Sequence, residues 1–257
     1  MPFILVLTVC MVEGKLINWM GVKMKKVVLG IMVCVALAAT WAVGQQVLSK
    51  NAVGYVKVDM EGGGTKPNLY LVAHPFESLT DANGLHLVSN VFAAVPNNTI
   101  VSVWDPIGQG YVQYGRDGRG TWLGAAATAK ISRSQGAFVR IPSNATQREV
   151  FLMGEVPDKT TAPSQYMSRA EGLTMIGFPY PVATRLTNTV MAQALPNNTI
   201  ISVWDSAAQT YVQYGKDGRG NWLGAAATAE LQPGQGMVIR NTNAPNSWWE
   251  TKPYSWP

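Results

Sequence analysis

The sequence predicts an all-β protein made of two tandem repeats of about 100 residues, each a small antiparallel sandwich or barrel with one short helix. Three observations carry this. PNNTIVSVWDPIGQGYVQYGRDGRGTWLGAAATAK (96–130) returns as PNNTIISVWDSAAQTYVQYGKDGRGNWLGAAATAE (196–230), 35 positions aligned without a gap and 27 of them identical. Short β-branched and aromatic runs alternate with Gly, Pro, Asn and Asp clusters in both copies, which is the pattern of strands and turns. One helix-spaced segment per copy interrupts that rhythm. A single barrel assembled from two half-repeats is the alternative arrangement.

The beginning of the chain has a different character. Met24-Lys25-Lys26 leads into the apolar run VVLGIMVCVALAATWAVG (27–44) and then polar Gln45-Gln46, the order of a secretory signal peptide cleaved after Gly44. Residues 1–23 read as an extension upstream of the true start, 24–44 as the signal peptide, 45–158 as the first β repeat and 159–257 as the second. An uncleaved anchor is the rival reading, although the run falls just short of the roughly 20 residues of a spanning helix. Cys10 and Cys34 both precede the cut, so the exported 213 residues contain no cysteine. Neither a disulfide framework nor a thiolate metal site is then available. The exported chain keeps 16 Lys and Arg against 14 Asp and Glu, a net +2, too balanced for a nucleic-acid surface. The periplasm, cell surface or medium is the expected location, with membrane contact only through the signal segment.

Within the first repeat, AVGYVKV (52–58) and LYLVAHPF (69–76) read as strands. Val88, Val91, Phe92 and Val95 then recur at helical spacing, as do Leu186, Val190, Met191 and Ala194 in the second copy, where Thr184 is placed to cap. TIVSVWD (99–105) is apolar on both faces, as a central strand is, and YVQYG (111–115) follows a turn. Ala137, Val139 and Ile141 share one face of a strand opened by Gly136, and EVFLMGEV (149–156) runs to Pro157. Weaker similarity extends the repeat: LVAHPF (71–76) answers MIGFPY (175–180), and SQGAFVRI (134–141) answers GQGMVIRN (234–241). Six or seven strands per copy are expected.

Catalytic candidates are few. Asp105 and Asp117, with Asp205 and Asp217, are the acids shared by both copies of the stretch, and a carboxylate pair is what glycoside hydrolysis requires. Each stands where a strand enters a turn, however, and an Asp there bonds the backbone two residues on. The turn role is the expectation. Of the two histidines, His74 meets Phe178 in the second copy, which excludes a duplicated histidine site. No GxSxG elbow, HExxH helix, P-loop or paired-cysteine motif occurs. Accordingly no catalytic residue, metal or cofactor is expected.

Aromatic residues provide the binding candidates: Trp104, Tyr111 and Trp122 beside Arg119, and Trp204, Tyr211 and Trp222 beside Arg219. Because strand side chains alternate in direction, about half must point away from any one core. Outward rings would stack on sugars; inward ones would fill the core and pair across strands, which is the plainer reading.

Five segments, SKNAVGYVKV (49–58), LVAHPF (71–76), SVWD (102–105), FLMGEVP (151–157) and PGQGMVIR (233–240), carry a resemblance to uncharacterised secreted proteins of the Planctomycetes and Verrucomicrobia. The second copy departs from it, with WWETKPY (248–254) where a GEVP-like strand end is expected. The resemblance implies export and a β-rich repeat fold, and brings no activity. The expected function is therefore that of an exported, non-catalytic protein with a structural or adhesive role at the envelope or cell surface, its partner an envelope component or surface glycan. A carbohydrate-binding module is the alternative, a glycoside hydrolase the third reading. The sequons at Asn97, Asn144 and Asn197 are expected to form turns.

Overall fold

The computed structural model describes residues 52–158, 165–168, 172–241 and 246–255. The expected extension and signal peptide lie outside the described residues. The first repeat runs β1 (Val53–Met60), β2 (Asn68–Ala73), β3 (His86–Leu87), α1 (Val88–Val91), β4 (Ile100–Asp105), β5 (Gly110–Gly115), β6 (Lys130–Ile131), β7 (Gly136–Ile141) and β8 (Arg148–Glu155). The second repeats the order as β9 (Gln165–Ser168), β10 (Gly172–Gly177), β11 (Thr184–Arg185), α2 (Val190–Ala194), β12 (Ile200–Asp205), β13 (Thr210–Gly215), β14 (Glu230–Leu231), β15 (Gly236–Asn241) and β16 (Asn246–Trp249). Among the described residues each copy thus has eight strands where six or seven were expected, because a two-residue strand precedes each helix and another follows each Gly-Ala-Ala-Ala turn.

Among the described residues all pairings are antiparallel. Four-stranded sheets β2-β7-β4-β5 and β10-β15-β12-β13 form one per repeat, with the ribbons β1-β8 and β9-β16 and the short pairs β3-β6 and β11-β14. The strands close no common barrel, since each four-stranded sheet is drawn from one repeat. Alternation sets the faces. Val101 and Val103 of β4 and Val139 and Ile141 of β7 point to a core shared with Val150 and Leu152 of the β1-β8 ribbon, and Val88 and Phe92 close it from the helix side. In the second copy Ile201, Ile239, Leu186, Met191 and Trp248 take corresponding places. Each repeat is therefore a small sandwich of sheet against ribbon, closed by a one-turn helix.

Those helices are too short to stand alone, and their ends are tied. Thr189, not Thr184, caps α2: its Oγ1 accepts from Ala192 N at 3.0 Å. Thr184 lies in β11, and a 3-10 turn over Leu186–Asn188 delays the helix start. Beyond the helix C-termini, Arg116 donates to the Ala93, Val95 and Gly120 carbonyls. Lys216, buried, does the same work with Nζ, 3.1 Å from Ala192 O, 3.2 Å from Gln193 O and 2.7 Å from Leu195 O.

The other faces of the two four-stranded sheets meet. Leu71, Trp104, Met175 and Trp204 are buried together there, flanked by Leu69, Phe138 and Val238. The contact is reciprocal. Gln109, in the left-handed region at φ 51°, accepts at Oε1 from Leu173 N (2.8 Å) and donates from Nε2 to Leu173 O (3.1 Å). Gln209, also at φ 51°, does the same with Leu69 N (2.8 Å) and O (3.0 Å). Backbone bonds add to it: Ala73 N to Gly234 O at 3.0 Å, and Gly177 N to Ser134 O at 2.9 Å. Both repeats fall within one compact unit, Lys50–Pro257.

Close approach here demands glycine. A Cβ on Gly136 would stand 2.5 Å from Met175 Cγ, and one on Gly236 2.5 Å from Leu71 Cγ. Overpacking of that kind typically costs about 1–3 kcal/mol. Gly136→Ala and Gly236→Ala are each expected to lower stability by about that amount in urea unfolding. Gly215→Ala, where a Cβ meets nothing within 4 Å, should change it far less.

Candidate functional site

The seam between the repeats gathers four of the eight aromatic and basic candidates. Trp104 and Trp204 are buried in it. Tyr111 packs edge-on against Trp104 with centroids 5.0 Å apart at 70°, and Tyr211 against Trp204 at 4.8 Å and 76°. Phe138 bridges the two sets, 6.3 Å from Tyr111 and 5.6 Å from Trp204. The two tyrosines remain 47% and 39% exposed. Partial burial pushes both hydroxyls up, and at Tyr111 the neighbouring Tyr211 adds to the effect. The rings meet as edges and faces in a packed chain, not as a coplanar strip.

The other four candidates lie elsewhere. Trp122 and Trp222 are half-buried against the separate repeat cores, and Trp222 Nε1 donates to Ala192 O at 3.1 Å. Arg119 and Arg219 are exposed in turns. Their backbone N–H groups bond the Asp117 and Asp217 carboxylates at 2.9 and 2.8 Å.

Turn geometry accounts for all four repeated aspartates. Asp117 Oδ1 also accepts from Thr121 N (2.7 Å), and Asp217 Oδ1 from Asn221 N (2.8 Å). Asp105 Oδ1 accepts from Ile107 N (2.9 Å), and Asp205 Oδ1 from Ala207 N (2.9 Å). The bonds that Asp217 accepts, the one from Asn221 N foremost, hold its carboxyl below its usual range. The sequon residues form turns of their own and brace the aspartate turns: Asn97 Nδ2 donates to Gly118 O at 2.8 Å and Asn197 Nδ2 to Gly218 O at 2.9 Å. Asn144 also sits in a turn. Asp59 and Glu61 share a shallow depression with Tyr70 and Ser206. Both carboxylates are exposed, and Asp59 lies 3.3 Å from Lys57.

His74 and His86 form a second cluster, present in the first repeat alone. Both are buried, and their rings stack at 3.7 Å between centroids. His74 Nδ1 lies 3.3 Å from both the N and the O of Phe76, and His86 Nε2 is 3.1 Å from Phe76 O. Burial, and then the neighbouring His86, push His74 down to about 3. Burial also lowers His86, against the opposing pull of the Phe76 carbonyl, Asp81 and Glu77. Phe178 and Thr184 occupy the corresponding places at the end of β10 and the start of β11.

Sequence reasoning missed Gln109 and Gln209. The signal was there: positions 106, 107, 108 and 110 all differ between copies while the glutamine between them does not. It also missed Glu250, whose carboxylate accepts from Val190 N (2.8 Å) and Met191 N (3.1 Å) at the start of α2. Burial raises that carboxyl. No repeat pattern marks this residue. Compared with known protein families, curated proteins and solved structures, the chain matches none.

The histidine pair predicts acid sensitivity. The unfolded chain takes up protons below about 6.5, whereas the folded pair resists them, so the stabilisation is complete above that pH and is lost on descending from it toward 3. Melting temperature should therefore fall steadily between pH 7 and pH 4. In the variant His74→Phe, His86→Thr, which copies the second repeat, that slope should flatten.

Proposed function

We propose that this is an exported, non-catalytic β-repeat protein with a structural or adhesive role at the cell envelope or surface, released by cleavage near Gly44. The observation that supports the reading is where the matched residues go. The duplicated tryptophans Trp104 and Trp204 are used in joining the repeats, and the duplicated aspartates are bound to their own turns. The acids shared by both copies of the repeated stretch thus have structural occupations.

Carbohydrate binding is the second reading, favoured by the exposure of Tyr111 and Tyr211 beside the exposed amides Gln113 and Gln213. An apolar ring with adjacent amides is suited to a sugar face and its hydroxyls. The partner in the leading reading is an envelope component, with nucleic acid disfavoured by the near-neutral exported charge.

Purified protein incubated with a panel of polysaccharides is expected to release no new reducing ends. Turnover that Asp117→Asn abolishes without shifting the melting temperature would overturn the non-catalytic reading. Binding on a glycan array that is lost in a Tyr111→Ala, Tyr211→Ala variant would establish the second reading in place of the first.

A further inference from the structure

The outer edges of β5 and β13 have features that the packing of the chain does not explain. In each four-stranded sheet they are the terminal strands, and among the described residues no strand pairs with their far sides. The direction of their backbone groups follows from the adjacent bonds. Arg116 N donates to Thr99 O across the β4 side at 2.9 Å, while Gly115 O accepts from Leu123 N on the other side, also at 2.9 Å. Alternation along an antiparallel strand then turns Val112 and Tyr114 toward β4, and the N–H and C=O of Tyr111 and Gln113 outward. The second repeat has the same arrangement, through Lys216 N to Thr199 O and Leu223 N to Gly215 O, both 2.9 Å.

Edge strands are usually protected by lysine, proline, a bulge or a covering element. Gly-Tyr-Val-Gln-Tyr-Gly and Thr-Tyr-Val-Gln-Tyr-Gly carry no charge and no proline, and each pairs with its neighbour residue for residue, without a bulge. Val112 and Val212 are 46% and 40% exposed. Only the Gly115 and Gly215 ends are covered, by Leu123 and Leu223.

We propose that these edges pair with a second copy of this chain. The open window runs from Gly110 to Tyr114, so antiparallel pairing of the edge with itself centres on Val112. In that register Tyr111 of one copy lies opposite Gln113 of the other, twice over. Four N–H to O=C bonds form, which use every outward group in the window. Val112 meets its counterpart in a non-hydrogen-bonded pair, the type in which side chains stand closest, and the exposed valines are covered. Tyr114 falls opposite Gly110, which offers no side chain to obstruct it. Because β13 has the same Tyr-Val-Gln-Tyr-Gly, the same four backbone bonds serve β5 with β5, β13 with β13, or one with the other, with Thr210 taking the place of Gly110 opposite a tyrosine where β13 takes part. The edge is its own complement, and that makes a second copy the occupant.

This inference supplies a partner for the proposed structural role and rests on that reading for its biological meaning. Its test is independent of any glycan or turnover assay. Sedimentation velocity of the purified protein over rising concentration should show mass above the monomer. Gln113→Pro with Gln213→Pro removes an outward N–H that no bond within the sheet uses, and proline is tolerated on an edge. That variant should associate roughly tenfold more weakly or worse. Val112→Lys with Val212→Lys should do the same by charging the edge, and it keeps the test decisive if the prolines disturb folding. A monomer at every concentration, or undiminished association in both variants, overturns the proposal. So does capture of an extended peptide without any self-association.

Discussion

The face-to-face contact between the two four-stranded sheets is what the remaining structure depends on. Each sheet has two faces to bury, and its own ribbon and helix cover only one. The other carries Leu69, Leu71, Trp104 and Phe138, or Met175, Trp204 and Val238, apolar surface that water would penalise at roughly 25 cal/mol per Å². Only the opposite repeat is in position to cover it. Backbone must come close for that to happen, and this is why glycine opens β7 and β15. Leu71 and Met175 occupy the space a side chain would need. The clasp formed by Gln109 and Gln209 then bonds backbone groups at the starts of β10 and β2.

On this shared frame the two copies have settled local problems with different chemistry. Carbonyls at and beyond the helix C-terminus are bound by a forked guanidinium in one copy and an ammonium in the other. Arg116 can also reach Gly120, whereas Lys216 concentrates three bonds on one nitrogen. The helix start in the second copy is held by a carboxylate from the chain tail, Glu250, and Tyr254 of that tail reaches Pro157 at the end of the first repeat. The first copy instead has a buried, stacked pair of histidines where the second has phenylalanine and threonine. The seam is asymmetric too: Trp204 Nε1 donates to Leu69 O at 2.8 Å, while Trp104 Nε1 finds no partner among the described residues.

Periodicity and repetition made the fold legible. The all-β class, the duplicated sandwich, the strand at 100–105 and one short helix per copy are local properties, set by alternation, turn residues and spacing. The turn function of the aspartates was legible for the same reason, since an Asx turn is complete within a few residues. What was not legible is long-range. Alternation says that Trp104 and Val103 face opposite ways, but not that a second sheet waits for Trp104. Tyr111 and Trp122 looked equivalent as aromatics of one repeated stretch, yet one lines the seam and the other its own core. The two-residue strands and the delayed start of α2 also escaped, because their pairing partners lie about 45 residues away and leave no period in the sequence.

The reciprocity of the glutamine clasp has an ancestral meaning. Residue 109 holds 173 while 209 holds 69, the arrangement expected at an isologous interface, where patch and counter-patch are the same surface. Two separate single-repeat chains could associate in this way as a homodimer. Joining them end to end would replace a concentration-dependent encounter with an intramolecular one, and would release each half from the requirement to match the other. Histidines confined to one half and a sealing tail confined to the other are the kind of divergence that such a fusion permits.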